Sequence, residues 1–319
     1  MKVVLIGGVN SSAITLDKLR EHKLDIVRVF GFEPINTELV SGYRNLGSIC
    51  SSNNISYTPF KKINDHVDEI AALDFDILMV VGLSQLVSQC IMDAPKVGAI
   101  GFHPTALPKG RGRAPIAWLV EEQTDGAATF FVLEEEADAG AVFAQEVFSV
   151  EQSDTAQTVE MKLLEAMKKA LDTLLPQLKN GEWTPIPQDD SQATEYGIRK
   201  PEDGLISWQS KAHQIDRLVK AAAKPHPGAF TFFERCKVPV LSSRLEKSVK
   251  IKGVTGRILK KHAGELLIQA GQGLIWIVTK DSIYNQLRVG HMLGYQTELE
   301  IYELKKELEE LKKAFLEEK

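Results

Sequence analysis

The sequence predicts an α/β protein: an open, parallel-rich sheet with helices on both faces, then a small antiparallel β-barrel and a C-terminal helix. Three features carry that expectation. Through residues 2–102, short β-branched runs alternate with helical stretches, the pattern of parallel strands joined by crossovers. Beyond His226-Pro227-Gly228, the runs AFTFF, VPVLSS, GRILKK, ELLIQA and LIWIVT recur between glycine or charged turns, as in small antiparallel barrels. From about Thr297, apolar residues Ile301, Leu304, Leu308, Leu311 and Phe315 return at steps of three and four among Glu and Lys, which is a heptad seam.

The elements follow in order. KVVLI, residues 2–6, reads as a buried parallel strand ending at Gly7-Gly8. Ser11 and Ser12 can cap the helix that carries Ile14, Leu16 and Leu19. Asp25 to Phe32 is a second strand, Leu39 to Ile49 is roughly helical, and Ile55 to Tyr57 is a short strand. Val67 to Leu73 is helical, Phe75 to Val81 is the strongest buried strand, Leu86 to Met92 is helical, and Val97 to Phe102 is a fifth strand. Ala127 to Leu133 and Val142 to Val150 read as strands, and Thr155 to Leu178 as a long helix. The expected organisation is a first domain at 1–185, a polar linker at 186–203, a β domain at 204–283 and a helical tail at 284–319.

Composition narrows the function. Lys and Arg number 38 against 43 Asp and Glu, a net charge of −5, which argues against a polyanion such as nucleic acid as partner. The longest apolar stretch, Phe75 to Leu83, contains Asp76 and is too short to cross a bilayer. The N-terminal apolar run is too short for a secretion signal. Cys50, Cys90 and Cys236 are widely spaced, with no CxxC pair or Cys/His cluster. No disulfide framework or metal site is expected, and the reading is a soluble, cytoplasmic protein.

The densest segment is GFHPTALPKGRGRAPIAW, Gly101 to Trp118. It leaves a buried strand at the carboxyl edge, where open α/β sheets bind ligands. His103 stands at that exit, and Lys109, Arg111 and Arg113 can hold an anionic group or tie the loop down. Downstream, Asp138 sits in the tight apolar context Ala-Asp-Ala-Gly. An imidazole and a carboxylate make an acid/base pair where they meet. GGVNSS after the first strand is not a dinucleotide fingerprint, but Gly8, Asn10 and Ser11 would line the same cleft.

His103 with ALP, then RGRAP and DAG, resembles the 10-formyltetrahydrofolate-dependent formyltransferases. Ala193 to Trp208 is similar to the linker of their two-domain members, and KPHPGAF, Lys224 to Phe230, to the approach to their C-terminal barrel. The resemblance covers about residues 1–280. It implies a Rossmann-like formyltransferase domain, an OB-like C-terminal barrel, and 10-formyltetrahydrofolate as cosubstrate without a metal. It implies His103 as proton shuttle, held by Asp138. It also implies a pterin loop containing Gly82, Leu83, Ser84 and Leu86, with Ala137 and Gly140 as the opposite wall. The family pattern reads Asn-x-His, and here the first position is Gly101. The donor that the asparagine gives to the formyl oxygen must then come from elsewhere.

Two-domain relatives act on methionyl-tRNA or on sugar-nucleotide amines. The tRNA enzymes carry a long basic loop, whereas Phe30 to Asn36, FGFEPIN, contains no Lys or Arg. The resemblance therefore implies a nucleotide-linked amino sugar, UDP-linked as in the enzymes of aminoarabinose, with Tyr196 joining Lys109, Arg111 and Arg113 as contacts. Three other readings stay open: a methionyl-tRNA formyltransferase, a hydrolase releasing formate from the folate, and a non-catalytic binding module. The seam after Thr297 is either docked on its own chain or an interface with a second copy.

Overall fold

A computed structural model describes residues 1–37 and 40–317. The chain divides into two units, Met1–Lys200 with Lys224–His226, and Pro201–Ala223 with Pro227–Lys319.

The first unit is built on a seven-stranded sheet. In chain order it runs β1 (Lys2–Gly7), α1 (Asn10–Glu21), β2 (Asp25–Phe32), α2 (Leu46–Ser52), β3 (Tyr57–Phe60), α3 (Val67–Ala71), β4 (Ile77–Val81), α4 (Gln89–Met92) and β5 (Gly98–Thr105). There follow β6 (Arg111–Gly112), α5 (Pro115–Glu122), β7 (Gly126–Val132), β8 (Val142–Phe148), α6 (Ala156–Lys179) and β9 (Glu195–Tyr196). The strand order is β3-β2-β1-β4-β5-β7-β8. The first five strands are parallel, and β7 is antiparallel to both neighbours. Order reverses between β1 and β4, so a crevice opens beyond their carboxyl ends.

Alternation along β1 shows why the sheet is covered twice. Val3 and Leu5 pack with Leu16 and Leu19 of α1 and Met167, Leu171 and Leu174 of α6. Val4 and Ile6 face the other way, against Ile63, Ile70 and Ile91. A strand buried on both faces must be apolar at every position, as KVVLI is. Helix α6 begins at a reciprocal cap: Thr155 Oγ1 accepts from Thr158 N at 3.3 Å, and Thr158 Oγ1 from Thr155 N at 2.9 Å.

Three expected elements shift. The helix expected over 39–49 is displaced to α2, and residue 39 lies outside the described residues. Gly42 adopts φ +66°, Val9 bridges to Tyr43, and Asn45 caps α2 by accepting from Ser48 N at 3.3 Å. The strand expected at 55–57 begins at Tyr57, after Asn54 turns the chain at φ +55°. The helix expected over 86–92 shrinks to the single turn α4. Side-chain bonds hold its front half open: Gln85 Oε1 accepts from Ile63 N, and Asn64 bonds Leu86 O and Ser88 N. Ser11 and Ser12 lie inside α1 rather than before it.

The second unit contains α7 (Ala212–Ala221), β10 (Ala229–Phe233), β11 (Cys236–Val240), β12 (Ser242–Glu246), β13 (Ile258–His262), β14 (Glu265–Gln269), β15 (Leu274–Val278), α8 (Asp281–Tyr284) and α9 (Thr297–Glu317). Strands β10 and β11 form a hairpin whose turn residues Glu234 and Arg235 take φ +46° and +64°, the twist a two-residue hairpin turn requires. The other four strands pair antiparallel in the order β12-β15-β14-β13. VPVLSS is thus two strands broken at Leu241. The tail expected to be helical from residue 284 is helical only from Thr297, because Leu287 and Leu293 are buried in this unit's core. Trp208, Ile215, Val219, Ile268 and Ile277 share that core.

Candidate active site

The carboxyl ends of β1, β4 and β5 converge. The β4–β5 register pairs Val80 with Gly101, so β5 runs past the end of β4 and carries His103 just beyond it. The β1–β4 register pairs Gly7 with Val81, which sets Gly8 beside Gly82. Ser12 ties these ends together: its fully buried hydroxyl accepts from Gly8 N at 2.9 Å and donates to Val81 O at 2.6 Å. Sequence reading placed the neighbouring Ser11 in the cleft and took Ser12 only as a helix cap. The signal was there: a hydroxyl at the third position of a helix that follows a Gly-Gly turn can bond backward to the turn.

His103 is 5% exposed. Its Nε2 lies 2.8 Å from Gly110 O and its Nδ1 3.4 Å from Asp138 Oδ2. Both ring nitrogens therefore face acceptor oxygens. Burial pushes the imidazole pKa below its ordinary 6.5, while the Asp138 charge and the Gly110 carbonyl pull it back up; the net direction is down. Gly110 O can only accept, so Nε2 carries a proton where it makes that bond, and the lowered pKa favours the neutral ring. The Nδ1 separation is long for a hydrogen bond.

Asp138 stands at φ +58°, a left-handed conformation that Asp tolerates better than most residues. Its Oδ2 also accepts from Gly112 N at 2.9 Å. Gly140, two residues on, is there by necessity, since a Cβ would lie 1.8 Å from Val132 O. Gln188 fixes this connection by donating to Asp138 O at 2.8 Å and Gly140 O at 2.7 Å. Sequence reading did not single out Gln188.

Arg111 is buried and bonds Gln188 Oε1 at 2.9 Å and Asp190 Oδ1 at 2.6 Å. Its charge pins residues 188–190 rather than facing open solvent. Lys109 and Arg113 are exposed. Strand β6 pairs with β9, and Gly110 N donates to Thr194 Oγ1 at 2.9 Å. Tyr196 stacks on Trp118 at 5.7 Å and sends its hydroxyl to Glu122 Oε2 at 2.9 Å. Tyr196 thus meets the Gly110 loop, where a Cβ on Gly110 would touch its ring at 2.8 Å.

Gly82 at φ +66° is pressed under Val9 and Ser11, so a side chain there is excluded twice over. Leu83 is half-buried and Ser84 and Leu86 are exposed. The loop is held by Gln85, which donates to Lys61 O at 2.7 Å. Gly8 is buried, Asn10 donates to Glu160 Oε1 at 3.1 Å, and Ala137 is exposed. His103, Asp138, Arg111 and Tyr196 are joined through the Gly110–Gly112 loop. Gly8, Ser11 and Gly82 form a second group at the β1–β4 crevice.

Gly101 lies on the same face of β5 as His103. A Cβ there would meet Leu133 Cδ2 at 2.7 Å and Phe131 Cζ at 2.8 Å. Two apolar side chains occupy the space an asparagine would need.

Among the described residues, no group of three or more His, Cys, Asp or Glu is placed to hold a metal. No described helix is long and apolar enough to cross a membrane. The three cysteines are free, with Cys50 buried.

Comparison with solved structures supports the fold. HypX from Aquifex aeolicus is 18% identical, with a TM-score of 0.61 over 87% of this chain and 43% of its own. This chain thus spans less than half the length of HypX. The N-formyltransferase from Helicobacter canadensis, in complex with folinic acid and dTDP-3-aminofucose, is 14% identical, with a TM-score of 0.67 over 88% of this chain and 99% of its own. A 4-N formyltransferase from Francisella tularensis is 18% identical, with a TM-score of 0.61 over 77% and 98%. At such identities the likeness speaks for the fold alone. Family models go further: the formyl transferase model matches residues 1–175, and the formyl transferase C-terminal domain model matches residues 199–282. The chain therefore belongs to the formyl transferase family.

Proposed function

We propose that the protein transfers the formyl group of 10-formyltetrahydrofolate to the amine of a nucleotide-linked amino sugar. The observation that carries this reading is the meeting of His103 and Asp138 at 3.4 Å, on a strand that overruns the Gly82 turn. The folate supplies the formyl carbon. The residues around the crevice fit such a ligand: residues 83–86 are anchored to the body by the Gln85 side chain and by Asn64, and the Ser84 and Leu86 side chains are left exposed. Ala137 to Gly140 supply the facing wall.

An attacking amine must lose a proton and the folate nitrogen must gain one. His103 serves both transfers. The amine takes the place of the Gly110 carbonyl at Nε2, and the ring proton shifts to Nδ1, where it stays on the ring and is donated as a hydrogen bond to Asp138 Oδ2; the amine nitrogen then bonds the formyl carbon to give a tetrahedral intermediate. The freed Nε2 lone pair takes the amine proton, Asp138 stabilises the imidazolium that forms, and the imidazolium returns that proton to the folate nitrogen as its bond to the formyl carbon breaks, leaving the formamide on the acceptor and tetrahydrofolate free. Burial suits this task, because it keeps the ring neutral until a proton arrives. With Leu133 and Phe131 closing the space at Gly101, the protonated His103 is also the cation available to the developing oxyanion.

The amino-sugar acceptor is supported by the short FGFEPIN segment, which carries no Lys or Arg, and the net charge of −5, and by the likeness to the Helicobacter canadensis N-formyltransferase in complex with dTDP-3-aminofucose. The test is to incubate the protein with 10-formyltetrahydrofolate and UDP- or dTDP-linked amino sugars, and to identify the product by mass spectrometry. Formylated sugar is expected. Free formate without acceptor would replace this reading with a hydrolase, formyl-methionyl-tRNA with a tRNA enzyme, and folate binding without turnover with a binding module.

A further inference from the structure

We infer that α9 joins two copies of the chain as a parallel, in-register coiled coil. The inference rests on the helix alone and is independent of the proposed reaction. In a heptad abcdefg, Ile301 and Leu308 fall at a, and Leu304 and Leu311 at d. They lie on a helix of 21 residues and are 47%, 51%, 48% and 68% exposed. Four large apolar side chains in one stripe are left facing solvent.

The flanking charges select the occupant and its direction. The g positions are Glu300 and Glu307, and the e positions are Lys305 and Lys312. In a parallel pair, each g residue faces the e residue five positions further along the partner helix. Glu300 then meets Lys305 and Glu307 meets Lys312, on both sides of the seam. In an antiparallel pair g faces g and e faces e, so Glu would oppose Glu and Lys would oppose Lys. The same four residues reward one orientation and penalise the other. A second copy aligned head to head satisfies all of them.

The attachment of α9 leaves the seam available. Arg235, at the β10–β11 turn, pairs with Glu300 at 3.1 Å and Glu307 at 3.6 Å. It grips the g edge of the helix. Among the described residues, Lys305 and Lys312 enter no ion pair within the chain. A seam this short is weak in isolation, so association is expected in the micromolar range and reversible on dilution.

The test is sedimentation velocity of the full chain from low micromolar to several hundred micromolar. A concentration-dependent shift from monomer to dimer is expected. Leu304→Lys with Leu308→Lys should abolish it while the near-ultraviolet circular dichroism stays unchanged, since both side chains are surface-exposed. Lys305→Glu with Lys312→Glu turns four attractive contacts repulsive and should weaken dimerisation by more than about tenfold, at energies typical of helix-surface ion pairs. Orientation is read by oxidation of Ile301→Cys and Leu311→Cys, each alone in a Cys90→Ser/Cys236→Ser background. These positions stand about 15 Å apart along the helix. Both should cross-link to themselves in a parallel pair, whereas an antiparallel pair can bring at most one to its own copy. A monomer at every concentration, a dimer that survives the lysine pair, or cross-linking at only one position overturns the inference.

Discussion

Gly101→Asn restores the residue that the family pattern carries two before the histidine, and the structure predicts that the protein accepts it only at a cost in stability. The new Cβ would stand 2.7 Å from Leu133 Cδ2 and 2.8 Å from Phe131 Cζ. Both are well inside ordinary contact; the half-buried Leu133 can swing its tip aside, whereas Phe131 is 2% exposed and has less room to yield. Overpacking a strand of this kind costs roughly 1–3 kcal/mol. The amide then sits between two apolar side chains, and an unpaired polar group there costs about 1–3 kcal/mol more. A loss of about 2–6 kcal/mol in a unit this large lowers the melting temperature by roughly 5–20 °C. The assay is urea unfolding followed by circular dichroism, on Gly101→Asn, Leu133→Ala and the double variant. Because the two residues touch, the double variant should lose less than the sum of the single losses. Parental stability for Gly101→Asn, or losses that simply add, would refute the reasoning.

Other expectations are as direct. Asp138→Asn should lower turnover by about 10²–10⁴ and move the acid limb of kcat/KM to lower pH. His103 is already depressed below 6.5 by burial, so the parent's acid limb lies below 6.5. Removing the carboxylate removes the charge that pulls the ring pKa upward, and an acid limb that moves to higher pH would contradict this sign. Because the folded ring is held neutral, His103 contributes stability above its unfolded pKa that is lost as pH falls through the depressed value. Ser12→Ala removes the acceptor of Gly8 N and a 2.6 Å donor to Val81 O. It should cost ~1–3 kcal/mol, read by urea unfolding, with faster hydrogen exchange at the Gly8 amide.

Much of this architecture was legible because it depends on local pattern. Continuous apolar runs marked β1, β4 and β5, since a strand covered on both faces has no polar position to confuse the reading. Helix α6 was legible for the opposite reason: its long amphipathic stripe and Thr155 cap are periodic. The elements misplaced in the sequence are those decided by distant partners. Residues 86–88 have helical composition, yet Asn64 holds them open from more than twenty positions away. Residues 285–296 read as a continuation of the tail, but burial of Leu287 and Leu293 overrides local preference. Within the site, His103 and Asp138 stood out through their context. Ser12 and Gln188 did not, because their importance lies in which backbone groups they meet. Arg111 shows the converse: an arginine in a ligand-facing loop whose charge is spent on Gln188 and Asp190.

The most direct test of the account is formyl transfer by His103→Gln, measured with saturating 10-formyltetrahydrofolate and the nucleotide amino sugar. The account predicts a fall of about 10²–10⁴ in turnover, with unchanged circular dichroism and unchanged folate binding. Turnover near the parental rate would remove the imidazole from the chemistry and contradict the account at its centre.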